Sequence, residues 1–381
     1  VAEETERHAS WLELFFDLVA VAGVAQLAHL VHESTSLGDV GLYVVCFLAF
    51  WTVWMCFTVY GNVTRGAART APVLGAMLAL AIMAAAVGHL EADRAKAFAI
   101  AYIAARALSD RVWQNRTSVR IVVDWPVAQI GLGVVPWVVS LWADAPWRYG
   151  LWALGLAVDL LITFTVTGER MAAGLGGRRG EQRRRPVPQS SEPVHLDAAH
   201  FGERLGLFMI IVLGEGVLVV TEGMTSAEHW TGAVYRVVFG ALGLLAALWA
   251  VALQGGFGGI PFLRANALRP RLMLPAHCLT AGILAALASG LGDLVGHEHV
   301  STGTRWLLCG TVAALCVLGA LAGAAAGRGA RWTVAVLAPG LLVPALVGFL
   351  HPGPLATVWP LTAAVVAQLA VTRFLPRPTR Q

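Results

Sequence analysis

Apolar residues gather into twelve runs, at about residues 11–32, 40–60, 71–90, 96–109, 121–143, 149–167, 205–221, 232–254, 272–295, 306–325, 332–350 and 354–371, and polar residues fall largely between them. Such runs are too long for ordinary strands and lack the polar stripe of a surface helix. Lipid demands that every backbone polar group be paired within the chain, so the pattern predicts helices, and about 20 apolar residues suffice for one crossing. The fourth run, AKAFAIAYIAARAL, is the weakest, being short and containing Arg106. The expected fold class is all-α, a polytopic transmembrane bundle of about twelve helices.

Composition narrows the class further. Of 381 residues, 57% are hydrophobic and 13% charged, where soluble globular chains carry about 25% charged residues. With a mean hydropathy of +0.68, the apolar side chains exceed what one soluble core can hide, which excludes an ordinary soluble enzyme. Twelve crossings occupy roughly 240 residues, so no large soluble domain is expected, and membrane lipids are the first expected partner.

The formal net charge is +4 and arginine carries it, since Lys96 is the sole lysine. With the N-terminus cytoplasmic and all twelve runs crossing, five basic residues (Arg94, Lys96, Arg148, Arg236 and Arg305) lie outside and the other 22 of the 27 lie inside. That is a strong positive-inside bias. Omitting the fourth crossing would reverse every later loop and put Arg178–Arg185 outside, so the charges support that weak helix. The basic excess thus encodes orientation and no nucleic-acid partner is expected; the location is the cell membrane, multi-pass, with both termini cytoplasmic. Cys46, Cys56, Cys278, Cys309 and Cys316 form no C-x-x-C pair, and the acidic start VAEETERHAS does not read as a signal peptide.

The segment 168–200 is rich in Gly, Arg, Pro and Ser and reads as a mobile cytoplasmic linker. It divides the chain into a first six-helix half (1–167), the linker (168–200), a second six-helix half (201–372) and a cytoplasmic tail (373–381). Trp11-Leu12-Glu13 and Phe201-Gly202-Glu203 both place an aromatic two residues before a glutamate where a helix begins. With six helices each, the halves would be parallel repeats about an axis along the membrane normal.

Candidate chemistry centres on two helices. Glu13 and Asp17 stand at i and i+4, on one face of the first helix. Each ionisable group in the bilayer costs roughly 2.5 to 3.5 kcal/mol on insertion scales, so two together suit a proton carrier, a general acid or a cation ligand. Pairing with Arg7 or Arg204 to lock the bundle is the structural alternative. On the seventh helix His200, Glu203 and Glu215 share an arc, and Gly206, Gly214 and Gly216 leave room for close approach. Trp51, Trp54, Thr58 and Tyr60 fall near the cytoplasmic end of the second helix, as interfacial anchors or a ligand-facing stripe. Asp110, Arg116, Asp124 and Asp159 add polar groups near helices four to six. No cofactor fingerprint is present, and His297 and His299 lack the further ligands of a metal site, so neither cofactor nor metal is expected.

These residues form the blocks E6-R-H-A-S-W-L-E-L-F-F-D17-L-V with Q26-L-A-H29, then W51-x-x-W54-x-x-x-T58-x-Y60, then H200-F-x-E203-R204-x-G206-L-F-x-I-I-x-L-G214-E215. Over nearly the whole chain they resemble the low-temperature-requirement A (LtrA) family of bacterial membrane proteins. The resemblance implies a polytopic helical fold and names Glu13, Asp17, His29, His200, Glu203, Arg204 and Glu215 as shared polar positions. It implies no settled activity. Members often carry an acidic stretch after the tyrosine of the second helix; here G61-N-V-T-R65-G follows instead.

Three functions remain open at this point. A proton- or cation-coupled transporter of a small molecule or ion would use Glu13, Asp17 and Glu215 as proton or cation sites, with His29, Trp51, Trp54, Tyr60, His200, Glu203 and Arg204 binding substrate. An intramembrane enzyme on a lipid or isoprenoid would use Asp17 or Glu215 as general acid. A membrane sensor or assembly factor would turn nothing over. In the first two, Asp17 and Glu215 are expected to matter more to activity than to folding.

Overall fold

The computed structural model describes residues 8–27, 30, 36–64, 69–88, 90–112, 118–122, 131–165, 190–194, 196–265, 267–297 and 299–375. Among these, twelve helices occur where the apolar runs predict them: α1 (Trp11–Ala25), α2 (Leu37–Thr64), α3 (Thr70–Val87), α4 (Ala92–Val112), α5 (Val134–Val139), α6 (Trp147–Thr165), α7 (Ala198–Ser226), α8 (Gly232–Trp249), α9 (Pro270–Gly296), α10 (Thr302–Ala325), α11 (Ala330–Leu350) and α12 (Pro354–Phe374). Nine of them, α2, α3 and α6 to α12, are long and apolar enough to cross a membrane. The chain is a multi-pass helical membrane protein. The weak fourth run forms a helix of 21 residues.

Two elements depart from expectation. The run 121–143 is not one continuous helix: β1 (Ser118–Val122) overlaps its start, and α5 is six residues long, flanked by 3-10 turns at Gly131–Gly133 and Ser140–Trp142. Gly131 and Gly133, poor helix formers, fall in the 3-10 turn that precedes α5. The second departure lies in the expected linker. Its residues Ser190–Val194 form β2, which pairs in parallel with β1, Ser118 opposite Ser190 and Val122 opposite Val194. Arg178–Arg185 and the rest of 166–189 lie outside the described residues.

Contacts divide the chain into two compact units, Val1–Leu27 with Gly41–Arg204, and Ala28–Val40 with Leu205–Gln381. In the first, α1 packs on α3, α3 on α4, α4 on α5 and α5 on α6. α2 is buried on every side from Ala49 to Val63, which fits a helix apolar all round. Phe98, Tyr102, Trp137 and Trp152 are fully buried and stacked, with Tyr102–Trp137 centroids 4.0 Å apart and Trp137–Trp152 5.0 Å. Water supplies no driving force between helices in lipid, so such close packing is what holds the unit.

In the second unit α8 packs on α12, α9 on α10, α10 on α11 and α11 on α12. After α8 the chain runs through a π-turn (Ala250–Gln254) into a tight reversal closed by mutual backbone bonds between Phe257 and Ile260. Gly258 and Gly259 have φ of 58° and 75° there, values that favour glycine. All five cysteines are buried and none forms a disulfide.

Candidate functional site

The site lies in the first unit and begins at the N-terminus of α1. Ser10 and Glu13 form a reciprocal capping box: Ser10 N–H donates to Glu13 Oε2 (2.8 Å) and Glu13 N–H to Ser10 Oγ (3.3 Å). This satisfies two orphan donors of the first turn and fixes the carboxylate of Glu13. Its other oxygen, Oε1, is 3.1 Å from Nη1 of Arg204.

One helical turn further on, Asp17 meets the same guanidinium. Arg204 Nε donates to Asp17 Oδ2 (3.0 Å) and Arg204 Nη2 to Asp17 Oδ1, a forked pairing suited to a planar guanidinium. Trp54 Nε1 donates to the same Oδ1 at 2.7 Å. Asp17 and Trp54 are 0% exposed and Arg204 1%. The i, i+4 spacing read from the sequence therefore serves one arginine at the start of α7.

Helix α2 supplies the third wall. Trp54, Thr58, Gly61 and Asn62 share one of its faces. A Cβ on Gly61 would lie 2.7 Å from Glu13 Oε1, so any larger residue there would push that carboxylate from its place. Asn62 reaches the segment before α7, where its Oδ1 accepts from Asp197 N–H (2.9 Å) and its Nδ2 donates to Asp197 C=O (3.0 Å). Asp197 Oδ1 in turn accepts from Ala199 N–H and His200 N–H, capping α7. His200, 1% exposed, faces Asn62 Nδ2 with Nδ1 (3.1 Å) and Glu13 Oε2 with Nε2 (3.6 Å).

The structure thus joins Glu13, Asp17, Trp54, His200 and Arg204. Trp51 is buried beside Trp54, ring centroids 6.5 Å apart. Tyr60 accepts from Arg69 N–H through its hydroxyl (3.0 Å), tying the end of α2 to the start of α3. Glu203 faces outward to the exposed His8 at 3.4 Å. Glu215 belongs to the second unit, half-buried, eleven residues beyond Arg204 along α7. His29 lies outside the described residues, as do Arg7, Arg116 and Asp124. Asn62 and Asp197 escaped the sequence reading. An aspartate three residues before His200 at the start of an apolar run is a cap signal that pointed to the latter.

A second buried pair explains Arg106, the residue that made the fourth run look weak. Its Nη2 is 3.6 Å from Asp159 Oδ2 and its Nη1 donates to Cys56 Sγ at 2.7 Å. A Cβ on Gly133 would collide with the Asp159 carboxylate, so that glycine lets the chain before α5 cross α6 at this level. Among the described residues no group of three or more His, Cys, Asp or Glu side chains gathers as a metal site.

Fold and site define a multi-pass helical membrane protein with a buried carboxylate–guanidinium–imidazole cluster at the start of its first helix. The chain belongs to the family described as bacterial low temperature requirement A protein (LtrA), whose profile matches residues 8–371. It is also similar to a Rhizobium meliloti (strain 1021) protein described as "Uncharacterized protein RA0937", 26% identical over 258 residues, 63% of this chain and 57% of that one. The match therefore spans little more than half of that relative's length. No solved structure matches the chain.

Proposed function

We propose that this LtrA-family protein is a proton-coupled transporter of a small molecule or ion, with the Glu13–Asp17–Arg204–His200 cluster as its proton-binding element. One observation carries this: two carboxylates share one guanidinium, all but enclosed, with side chains 12%, 0% and 1% exposed for Glu13, Asp17 and Arg204. Two carboxylates thus crowd one guanidinium in a nearly enclosed place. Holding both ionised there is costly, and one proton relieves that cost. A site that takes up and releases one proton is what coupling to a proton gradient requires.

The test is reconstitution into vesicles of phosphatidylethanolamine and phosphatidylglycerol on a solid-supported membrane. A pH jump is expected to displace charge in the native protein and not in Glu13→Gln. A panel of labelled amino acids, organic acids, amines and alkali cations is then offered under an imposed proton gradient, and one of them is expected to accumulate until a protonophore is added. No charge displacement in the native protein would overturn the proposal.

The same proposal places both termini in the cytoplasm of the cell membrane, on the arginine asymmetry, and takes the two halves around 168–200 as products of duplication.

A further inference from the structure

Asn62 holds a key to what His200 does. Its amide cannot be turned over: Oδ1 faces an N–H, which only donates, and Nδ2 faces a C=O, which only accepts, both on Asp197. Exchanging O and N would oppose donor to donor and acceptor to acceptor, so the hydrogen-bond network fixes the assignment. Nδ2 has two hydrogens. One goes to Asp197 C=O and the other points to His200 Nδ1 at 3.1 Å.

That nitrogen must then be an acceptor. The imidazole in this arrangement carries its single proton on Nε2, the atom directed at Glu13 Oε2, 3.6 Å away. A second proton on Nδ1 would have to displace the Asn62 amide, and with it the two bonds that seat Asp197 as the cap of α7. Among the described residues, Glu13 of α1 faces Nε2 and Asn62 of α2 faces Nδ1, while Asp197 Oδ1 accepts from the backbone N–H of His200.

We infer that Asn62 is a positioning residue that locks His200 as the Nε2–H tautomer, turning its one N–H toward Glu13 and leaving the exchangeable proton of the cluster to the Glu13–Asp17 carboxylates. The tautomer stands on geometry alone; the role of the carboxylates rests on the proton-coupling proposal above.

The experiment uses the full chain, labelled with 15N-histidine, in vesicles of phosphatidylethanolamine and phosphatidylglycerol. Solid-state NMR at neutral pH, with His200 assigned by its loss in His200→Gln, is expected to show a protonated Nε2 and a bare Nδ1. Asn62→Asp, which places an acceptor at Nδ1, is expected to move the proton to Nδ1, an effect that a residue of merely structural importance would not produce. If that variant fails to fold, the native spectrum still decides, since a proton on Nδ1 at neutral pH overturns the lock. Acid-minus-neutral infrared difference spectra test the second part. A protonated-carboxyl band that is lost in Glu13→Gln or Asp17→Asn supports it, and an imidazolium band from His200 without such a carboxyl band overturns it. A native protein with the Nε2–H tautomer but no pH-driven charge displacement would refute the transport proposal while leaving the tautomer lock intact.

Discussion

The indole N–H of Trp54 and the Oδ1 of Asp17 meet at 2.7 Å, and neither side chain has any exposed surface. Arg204 grips the same carboxylate from its other side. Asp17 is therefore held by three donors from two other helices, the arrangement of an anchored ion pair.

Removing the indole donor tests that anchor. Trp54→Phe keeps an aromatic side chain but deletes the N–H, leaving Asp17 Oδ1 with one donor fewer and a small cavity where the rest of the indole stood. A loss of about 1–3 kcal/mol is expected, read as a lower Tm of the detergent-solubilised protein by intrinsic fluorescence.

Asp17→Asn breaks the fork on Arg204 and leaves a buried guanidinium with Glu13 as its remaining carboxylate. Breaking a buried pair from one side costs about 3–5 kcal/mol, so membrane levels and Tm are expected to fall. Glu13→Gln is expected to cost less, because Glu13 retains some exposure and meets Arg204 through one nitrogen. Fluorescence-detected size exclusion on both variants checks the order, and equal losses would contradict it.

Gly61→Ala adds a carbon 2.7 Å from Glu13 Oε1. The carboxylate must move, so the pH-jump charge displacement is expected to shrink severalfold. Overpacking of this kind costs typically 1–3 kcal/mol, a smaller thermal effect than Asp17→Asn. An unchanged charge displacement would show that Glu13 tolerates the shift.

Arg106 and Asp159 offer a contrasting case. Arg106→Met alone removes the guanidinium beside the buried Asp159, with an expected loss of about 3–5 kcal/mol, whereas Arg106→Met with Asp159→Leu is expected to recover most of it. A double-mutant cycle on Tm measures the coupling.

Orientation is open to direct measurement. Trypsin is expected to cut near Arg183–Arg185 when it reaches the cytoplasmic face in inside-out vesicles, and to leave that segment whole in right-side-out vesicles. Cleavage with the reverse sidedness would invert the proposed topology.

Much of the fold was legible because lipid makes helix the only economical state for a long apolar run, and twelve runs became twelve helices. The run 121–143 misled because hydropathy averages over Gly131 and Gly133, which act on the backbone and barely change the mean. Glu13, Asp17, His200 and Arg204 stood out as charged or titratable residues in apolar surroundings, a signal visible without coordinates. Their partners were not so marked. Asn62 and Gly61 act through shape and hydrogen-bond direction, and the pairing of Arg106 with Asp159 joins residues far apart in the chain, which no local pattern reports.

The burial of all five thiols bears on how the molecule can be handled. Membrane-impermeant maleimides find no native thiol at the surface, so background labelling should be low without first deleting cysteines. A single cysteine placed in any exposed connection then becomes the chemical address for a fluorophore or spin label, and Cys56 keeps its contact with Arg106 while the probe reports from elsewhere.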